Sequence, residues 1–473
     1  MNKESVNVDP NYNNEIAGYT ETKRGSFTGK IGFVLAASGS AVGLGNLWRF
    51  PYLVAQYGGG IFVLSYVFLA IFFGLTMLML EIGIGRYTGK SVIGAFSTLN
   101  KKFSWFGYVC VIVPLIIVPY YCVIGGWVVK YAWSFIVGSK DLVGGTVTPE
   151  QTDAFFKIFR TDTWQPLLFF LIFALVTVFI VVFGIQKGIE KMSKILMPTL
   201  AVMAIFLMVY VLCQPGALEG VKYVLLPNFN EFGFETILGA LGQLFYSMSI
   251  GMCIMITYGS YMKKNVNIKS SAGQIAIFDS LFAFIASLII IPAVYAFATV
   301  PADVLKQQGP SLMFVQLANV FNQLPGGRII AIIFFVLVFF AAVTSSVSLV
   351  ESIVAVLCEE GRMKRFTACA IVFGSILVLG TLSSLGNGPL SFIHIGNMGI
   401  LDIFDFLANN ILMPIIAIIT CVIAGWFIDK SILPKEIGLD KNKGLTTYFN
   451  VIIKYVAPIC ILIILISGLF IKI

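Results

Sequence analysis

Thr344, Ser345, Ser346 and Ser348 crowd hydroxyls into the apolar stretch "FFAAVTSSVSLVE". Hydroxyl and carbonyl oxygens without an obligatory carboxylate suit a weakly held, hard monovalent cation, whereas Ca²⁺ asks for more carboxylates. Serine and threonine in apolar helices also bond back to the preceding turn, so this run alone decides nothing. Two other apolar stretches are interrupted in a related way. "GSAVGLGNLWRFP" carries Gly39, Gly43 and Gly45, then Asn46, Arg49 and Pro51, although glycine costs about 1 kcal/mol against alanine in a helix interior. "FYSMSIGMCIMITYGSY" has Ser247, Ser249, Gly251 and Cys253 at its midpoint.

Charges inside apolar stretches are functional hypotheses by default. Arg49 and Asp405, the latter in "ILDIFDFLANN", are placed to pair as an external gate, and Arg24 with Glu359 as a cytoplasmic one. Glu81 in "LMLEIGIGRY" reads as a structural acceptor for backbone freed at the interruptions. Asp279 in "IAIFDSLF" is a carboxylate well inside an apolar stretch. His394, the single histidine, has no partner at motif spacing and reads as structural. The serine run therefore lacks a general base, which argues against a hydrolase.

These residues need elements that hold them at membrane depth. The 473 residues are 58% hydrophobic and 11% charged, with a mean hydropathy of +0.93. Soluble chains run near 45–50% apolar and about 25% charged, so the surplus must face lipid. A crossing takes about 20 apolar residues. Eleven stretches qualify, near 30–55, 61–88, 103–136, 164–184, 190–213, 236–261, 274–300, 329–358, 366–384, 396–427 and 446–471. The first 25 residues lack an apolar signal-peptide core. The eight cysteines lie in or beside apolar runs and read as small buried hydrophobes. Net charge is +8, and topology accounts for it better than nucleic acid does. Lysines and arginines gather in alternate loops: Arg86 to Lys102, Lys187 to Lys194, Lys263 to Lys269, Arg362 to Arg365 and Lys430 to Lys443. The positive-inside rule then puts the amino terminus in the cytoplasm and the carboxyl terminus outside.

The two interrupted spans are the first and the sixth. That is the pattern of a 5+5 inverted repeat, spans one to five and six to ten, around a site at the membrane midplane. The expected fold is an all-α integral membrane protein with eleven transmembrane helices, helices 1 and 6 broken, and one peripheral helix. Its organisation is a tail (1–25), first repeat (26–213), extracellular connector (214–235), second repeat (236–427), cytoplasmic loop (428–445) and eleventh span (446–473). Short external helices are expected in 137–163 and 301–328. An unwound segment offers carbonyls to a cation and helix amino termini to an anion, which a zwitterion such as an amino acid uses together. An ion channel would explain polar membrane residues but not two matched breaks with paired gates.

"AASGSAVGLGNLWRFPYLVAQYGGG" resembles the first-helix signature of the neurotransmitter:sodium symporters. "EIGIGRYTG", "PYYCVIGGW", "KGIEKMSKILMP", "FYSMSIGMCIMITYGSY" and "AAVTSSVSLVE" resemble further family motifs in family order. The resemblance implies two Na⁺ sites. One would use the Ala41 carbonyl, Asn46, Ser247 and Asp279, completed by the substrate carboxylate. The other would use carbonyls of Gly39, Val42 and Ala341 with the hydroxyls of Thr344 and Ser345. It implies a substrate pocket with carboxylate contacts from Tyr121 and the backbone near Gly43 and Gly45. Its walls would be Ile117, Ile124, Tyr246, Ser247, Ser249, Met252, Ser346 and Leu349, with Ala41 beneath. Tyr121 and Tyr246 would form an aromatic lid, with Gln243 near the gate.

Three departures from the family pattern shape the expectation. Asp279 stands where many members carry Asn, and Ala283 lacks the acid some chloride-independent members use, so chloride is expected to be unnecessary. Gly251-Met252-Cys253 replaces Gly-Phe-Gly, and slimmer Met252 favours a larger substrate. The chain has eleven spans where many relatives have twelve, so a monomeric unit is expected. The reading is a bacterial inner-membrane Na⁺ symporter, not an enzyme, importing a neutral hydrophobic L-amino acid by alternating access. Tyr or Trp is the first choice, given the Ser249 and Ser346 hydroxyls. Small aliphatic amino acids, or an osmolyte or amine, are the alternative substrates; amine carriers place an acid where this chain has Ser40 and Ala41.

Overall fold

The computed structural model describes residues 25–144, 147–298, 301–305 and 309–470. Among them nine helices are long and apolar enough to cross a membrane: Gly60–Thr88, Lys101–Val137, Trp164–Val182, Ile185–Leu212, Ile268–Phe297, Gly327–Glu359, Arg365–Leu385, Ile400–Phe427 and Lys443–Leu469. Lys30–Ala41 and Gly45–Gln56 make a further span, bent by 54° at its centre. Phe234–Ser247 and Ile254–Ser260, parted by Met248 to Cys253, make the interrupted sixth. The fold is the expected all-α membrane protein, with its first and sixth spans broken.

Burial sorts these spans into an inner and an outer set. The most apolar part of the third span is 72% buried and that of the eighth 67%, against 22% for the eleventh. Exposed large apolar side chains such as Phe179, Val202, Phe206, Val378 and Leu462 mark the outer spans. These surfaces match lipid, which is as apolar as they are.

The ends of the helices differ from the hydropathy expectation where charges lie. Lys187, Lys191 and Lys194 are expected in a loop. The connection is instead only Phe183 and Gly184, and the lysines ride on the first turns of Ile185–Leu212. Long lysine stems reach water from a helix end, so a charge does not mark where a helix stops. The stretch 214–235 contains the helix Ala217–Leu225, and 428–445 contains Ile432–Ile437. Short helices do occupy the two long loops, at Pro149–Thr161, Pro301–Leu305 and Leu312–Gln323.

The basic loops meet at one end of the molecule. Arg86 Nε and Lys264 Nζ both reach Glu436 Oε1, at 2.7 and 2.9 Å. Lys263 Nζ donates to the Thr28 carbonyl at 2.9 Å, and the Ser91 amide donates to Glu359 at 2.7 Å. These contacts tie the ends of spans two, six, eight and ten together on one face.

Glycines let the inner spans touch backbone to backbone. A Cβ at Gly85 would stand 1.9 Å from the Ile256 carbonyl oxygen, and one at Gly259 2.5 Å from that of Ile82. The second span thus lies directly on the second half of the sixth, the small-residue packing mode of membrane helices. Gly85→Val should cost about 3 kcal/mol or more through overpacking. The expected readout is a lower melting temperature or loss of the monodisperse peak in detergent; wild-type behaviour would refute this contact.

Candidate functional site

The centre of the molecule is built around the two breaks. Val42 is extended (φ −74°, ψ 96°), and the chain resumes as a wide helical turn at Gly45–Arg49. In the sixth span Ser249, Gly251 and Cys253 all have left-handed backbone, with φ of 55°, 78° and 65°. For a side-chain-bearing residue that conformation costs roughly 1–2 kcal/mol, so neighbours must hold it. Several do. The Gly251 amide donates to Glu81 Oε1 at 2.8 Å, and the Cys253 thiol donates to the Cys110 carbonyl at 3.1 Å. The Gly43 amide donates to Asn46 Oδ1 at 3.3 Å, the Leu44 amide to the Tyr121 hydroxyl at 3.4 Å, and Gln243 Nε2 to the Gly45 carbonyl at 3.2 Å. Glu81 acts as the acceptor its sequence position implies, serving the second break.

Two oxygen clusters flank the breaks. In the first, Ser247 Oγ lies 2.6 Å from Asp279 Oδ1 and 3.2 Å from Asn46 Oδ1. Asn46 Nδ2 donates to Asp279 Oδ1 at 2.8 Å, and the Tyr66 hydroxyl donates to Oδ2 at 2.8 Å. Asn46 and Asp279 are fully buried and Ser247 almost so. In the second, Ser345 Oγ lies 3.3, 3.1 and 3.4 Å from the carbonyl oxygens of Gly39, Ser40 and Val42. Thr344 Oγ1 lies 3.0 Å from that of Ala341. Both donor sets are all oxygen, and among the described residues no group of three His, Cys, Asp or Glu side chains could hold a metal ion. The sets fit a hard monovalent cation rather than a transition metal.

Between the clusters lies a cavity of about 30 Å³, bounded by Ala41, Gly43, Gly45, Ile117, Tyr121, Tyr246, Ser247, Ser249, Met252 and Leu349 among the expected residues. Ser40, Leu44, Asn46, Ile254 and Ser345 also line it. Ile124 and Ser346 do not. Ser346 Oγ is instead 2.9 Å from Thr177 Oγ1 and bonds back to the Val343 carbonyl at 3.1 Å, turning it toward the fourth span. Ser249 Oγ donates to the Ser40 carbonyl at 3.4 Å. Both hydroxyls expected to read a polar substrate side chain are therefore engaged within the protein. The Tyr246 ring covers the chain at Gly45, where a Cβ would stand 2.7 Å from its Cε1.

The two ends of the cavity are closed differently. At one end the Arg49 guanidinium sits 5.6 Å above the Tyr246 ring. Asp405 accepts from Asn409 Nδ2 at 2.7 Å, and the same nitrogen donates to the Tyr120 hydroxyl at 3.2 Å. No nitrogen–oxygen contact within 4.0 Å joins Arg49 to Asp405 among the described residues, but the two charges stand close enough to attract, Arg49 over Tyr246 and Asp405 on Asn409. At the basic end Glu351 is fully buried, accepting from the Tyr261 hydroxyl at 2.8 Å and pairing with Arg365. Glu190 accepts from the Thr28 amide at 2.9 Å and pairs with Lys194 at 2.7 Å. Glu359 holds the Ser91 amide, while its expected partner Arg24 lies outside the described residues. Exposed His394 stays in a loop with Ser391, far in sequence from any lining residue.

The sequence assigns no site role to Tyr66 or Glu351, and Arg365 counts there only as a loop charge. Glu351 was legible in principle, as a carboxylate three residues beyond the serine run; Tyr66 carries no such signal, being one aromatic among many.

Two broken helices at matching positions, enclosing a midplane cavity between oxygen clusters, define a membrane carrier of the inverted-repeat kind. The family model for the sodium:neurotransmitter symporter family matches residues 24–140 and 162–472, and the chain belongs to that family. It is a sodium-dependent transporter with a multi-pass membrane fold. An uncharacterized sodium-dependent transporter of Bacillus subtilis, YhdH, is 36% identical over 456 residues, covering 95% of this chain and 98% of the relative. Another from Haemophilus influenzae is 32% identical over 459 residues, covering 95% and 99%. Among solved structures, that of MhsT in complex with L-phenylalanine superposes with a TM-score of 0.84 at 34% identity, covering 94% of this chain and 100% of that one.

Removing the Glu81 carboxylate leaves the Gly251 amide buried without a partner. Glu81→Ala is expected to destabilise by about 1–3 kcal/mol, read as a drop in melting temperature, with Glu81→Gln falling markedly less because its amide oxygen still accepts. Equal effects of the two substitutions would remove Glu81 from this role.

Proposed function

We propose that the protein couples Na⁺ entry to uptake of a neutral, apolar aromatic L-amino acid by alternating access. The observation that carries this is the convergence at one cavity of the Tyr121 hydroxyl, the unwound Gly43–Gly45 backbone and the Asp279 cluster. A carboxylate placed at Tyr121 and the Leu44 amide would lie beside a cation held by Ala41, Asn46, Ser247 and Asp279. The second Na⁺ would sit among Gly39, Val42, Ala341, Thr344 and Ser345. At the first of these positions the Asp279 carboxylate, beside Asn46 and Ser247, supplies a fixed negative charge, so transport should not need chloride.

The side-chain walls, Ile117, Met252, Ile254 and Leu349, are apolar, and Ser249 and Ser346 are engaged elsewhere. That favours phenylalanine over tyrosine, and an L-phenylalanine complex is known for the similar MhsT. The narrow cavity must widen to take it, and the half-buried Tyr246 ring and flexible Met252 are the parts able to move. Orientation follows the basic face, with the amino terminus cytoplasmic, the carboxyl terminus outside and Arg49 and Asp405 at the external mouth. Nothing in the proposal needs a second copy of the chain.

The test is uptake of labelled L-phenylalanine into liposomes with and without an inward Na⁺ gradient, each unlabelled amino acid competing in turn. Na⁺-dependent uptake blocked best by aromatic amino acids is expected. Better competition by leucine or alanine would overturn the pocket reading and keep the coupling; no uptake by folded protein would overturn both.

Asp279→Asn removes the fixed charge. It is expected to raise the Na⁺ concentration for half-maximal uptake by about ten-fold, since close charge contacts in low-dielectric surroundings are worth 1.4 kcal/mol or more. Uptake that stays indifferent to Asp279→Asn would exclude the carboxylate from Na⁺ binding.

A further inference from the structure

We propose that a cleft between the basic ends of the tenth and eleventh spans binds the headgroup of an anionic phospholipid. The cleft, about 250 Å³, is separate from the transport cavity and is lined by Gly425, Lys430, Leu433, Asn450, Lys454 and Tyr455, among others. Two wide helical turns, Ile423–Phe427 and Ile452–Val456, meet there. Such turns inside α-helices frequently mark functional positions. Gly425 allows the approach: a Cβ on it would stand 2.9 Å from Lys454 Cα.

The chemistry of the walls is that of an anion site at a membrane surface. Lys454 Nζ sits 4.2 Å from the centroid of the Trp426 ring and 5.3 Å from that of Tyr455. Trp426 Nε1 donates to the Lys454 carbonyl at 3.3 Å, and Asn450 Nδ2 to the Lys430 carbonyl at 3.4 Å. Neither Lys430 nor Lys454 has a carboxylate partner among the described residues. The one acid in the wall, Asp429, has Oδ1 taken by the amide and hydroxyl of Ser431, at 2.8 and 2.7 Å. Nearby Glu436 is held by Arg86 and Lys264. The wall thus carries two lysines against one acid, neither lysine within ion-pair distance of a carboxylate among the described residues, and the exposed Trp426 and Tyr455 rings are the type that settles at headgroup level. Basic pockets between membrane helices take anionic headgroups.

The surface leading from the cleft identifies the anion as a lipid rather than free phosphate. Val451, Tyr455, Ile459, Leu462 and Ile466 are all exposed, and their spacing places them along one face of the eleventh span. This apolar stripe starts at the cleft, so a phosphate seated between Lys430 and Lys454 would have its acyl chains run along it.

Native mass spectrometry of the full chain in neutral detergent tests the site, using dioleoyl-phosphatidylglycerol, the matching phosphatidylcholine and inorganic phosphate as probes. One phosphatidylglycerol is expected to stay bound at energies that strip phosphatidylcholine. The double variant Lys430→Gln/Lys454→Gln should retain it roughly ten-fold less or worse, from two lost headgroup charges, with Lys454→Arg and the distant Lys102→Gln unchanged. If the double variant is not monodisperse, Lys430→Gln alone, at an exposed side chain, should show a smaller loss in the same direction. Equal retention of both lipids, or by the variants, would overturn the proposal. So would displacement of phosphatidylglycerol by inorganic phosphate at equal concentration, which would make this a free-phosphate site.

Discussion

Buried backbone without a partner is the constraint around which the molecule is arranged. In lipid each unpaired amide or carbonyl costs several kcal/mol, so a broken span survives only inside protein. The first and sixth spans are broken, and groups freed there are met by other spans. Glu81 from the second takes the Gly251 amide, Tyr121 from the third meets the Leu44 amide, and the Cys110 carbonyl of the third takes the Cys253 thiol. Spans two and three are thereby drawn against the breaks, and their glycines and small residues make that approach sterically feasible. Spans four, five, nine and eleven have no such duty and remain outside, with lipid-facing apolar surfaces.

Much of this was legible because the requirement leaves marks in composition. Three glycines and an asparagine inside an apolar stretch cannot be a plain membrane helix, and a second interruption five spans later fixes the repeat. Glu81 could be assigned as a backbone acceptor without knowing which amide it meets, since a lone carboxylate at that depth needs a donor. What could not be read was the direction in which a side chain points. Ser346 follows Ser345 in the same run, yet Ser345 reaches the break in the first span while Ser346 turns about a hundred degrees around the helix to Thr177. Helical periodicity separates adjacent residues, but only packing says which face meets the cavity. Arg49 and Asp405 show the same limit: both are at the right end and near each other, but the direct contacts they make, to Tyr246 and Asn409, carry no mark in the sequence.

The bend in the first span also ties the two oxygen clusters together. Gly39 and Val42 offer carbonyls to Ser345 on one side, while Gly43 and Asn46 belong to the Asp279 cluster on the other. A stretch of only eight residues, 39 to 46, spans both clusters. A cation gathered by either cluster would restrict the same short unwound segment, and an already ordered segment asks less conformational entropy of the next ligand. Coupling between ions and substrate then needs no long pathway, and it must be reciprocal, because linkage makes each ligand favour the other by the same factor. The eighth span enters this arrangement through Ala341, Thr344 and Ser345, and the seventh through Asp279. A displacement of either helix by an ångström or two would lengthen contacts of 2.6 to 3.4 Å in one cluster while leaving the other intact. A small motion of a single span could therefore open one oxygen cluster without the other.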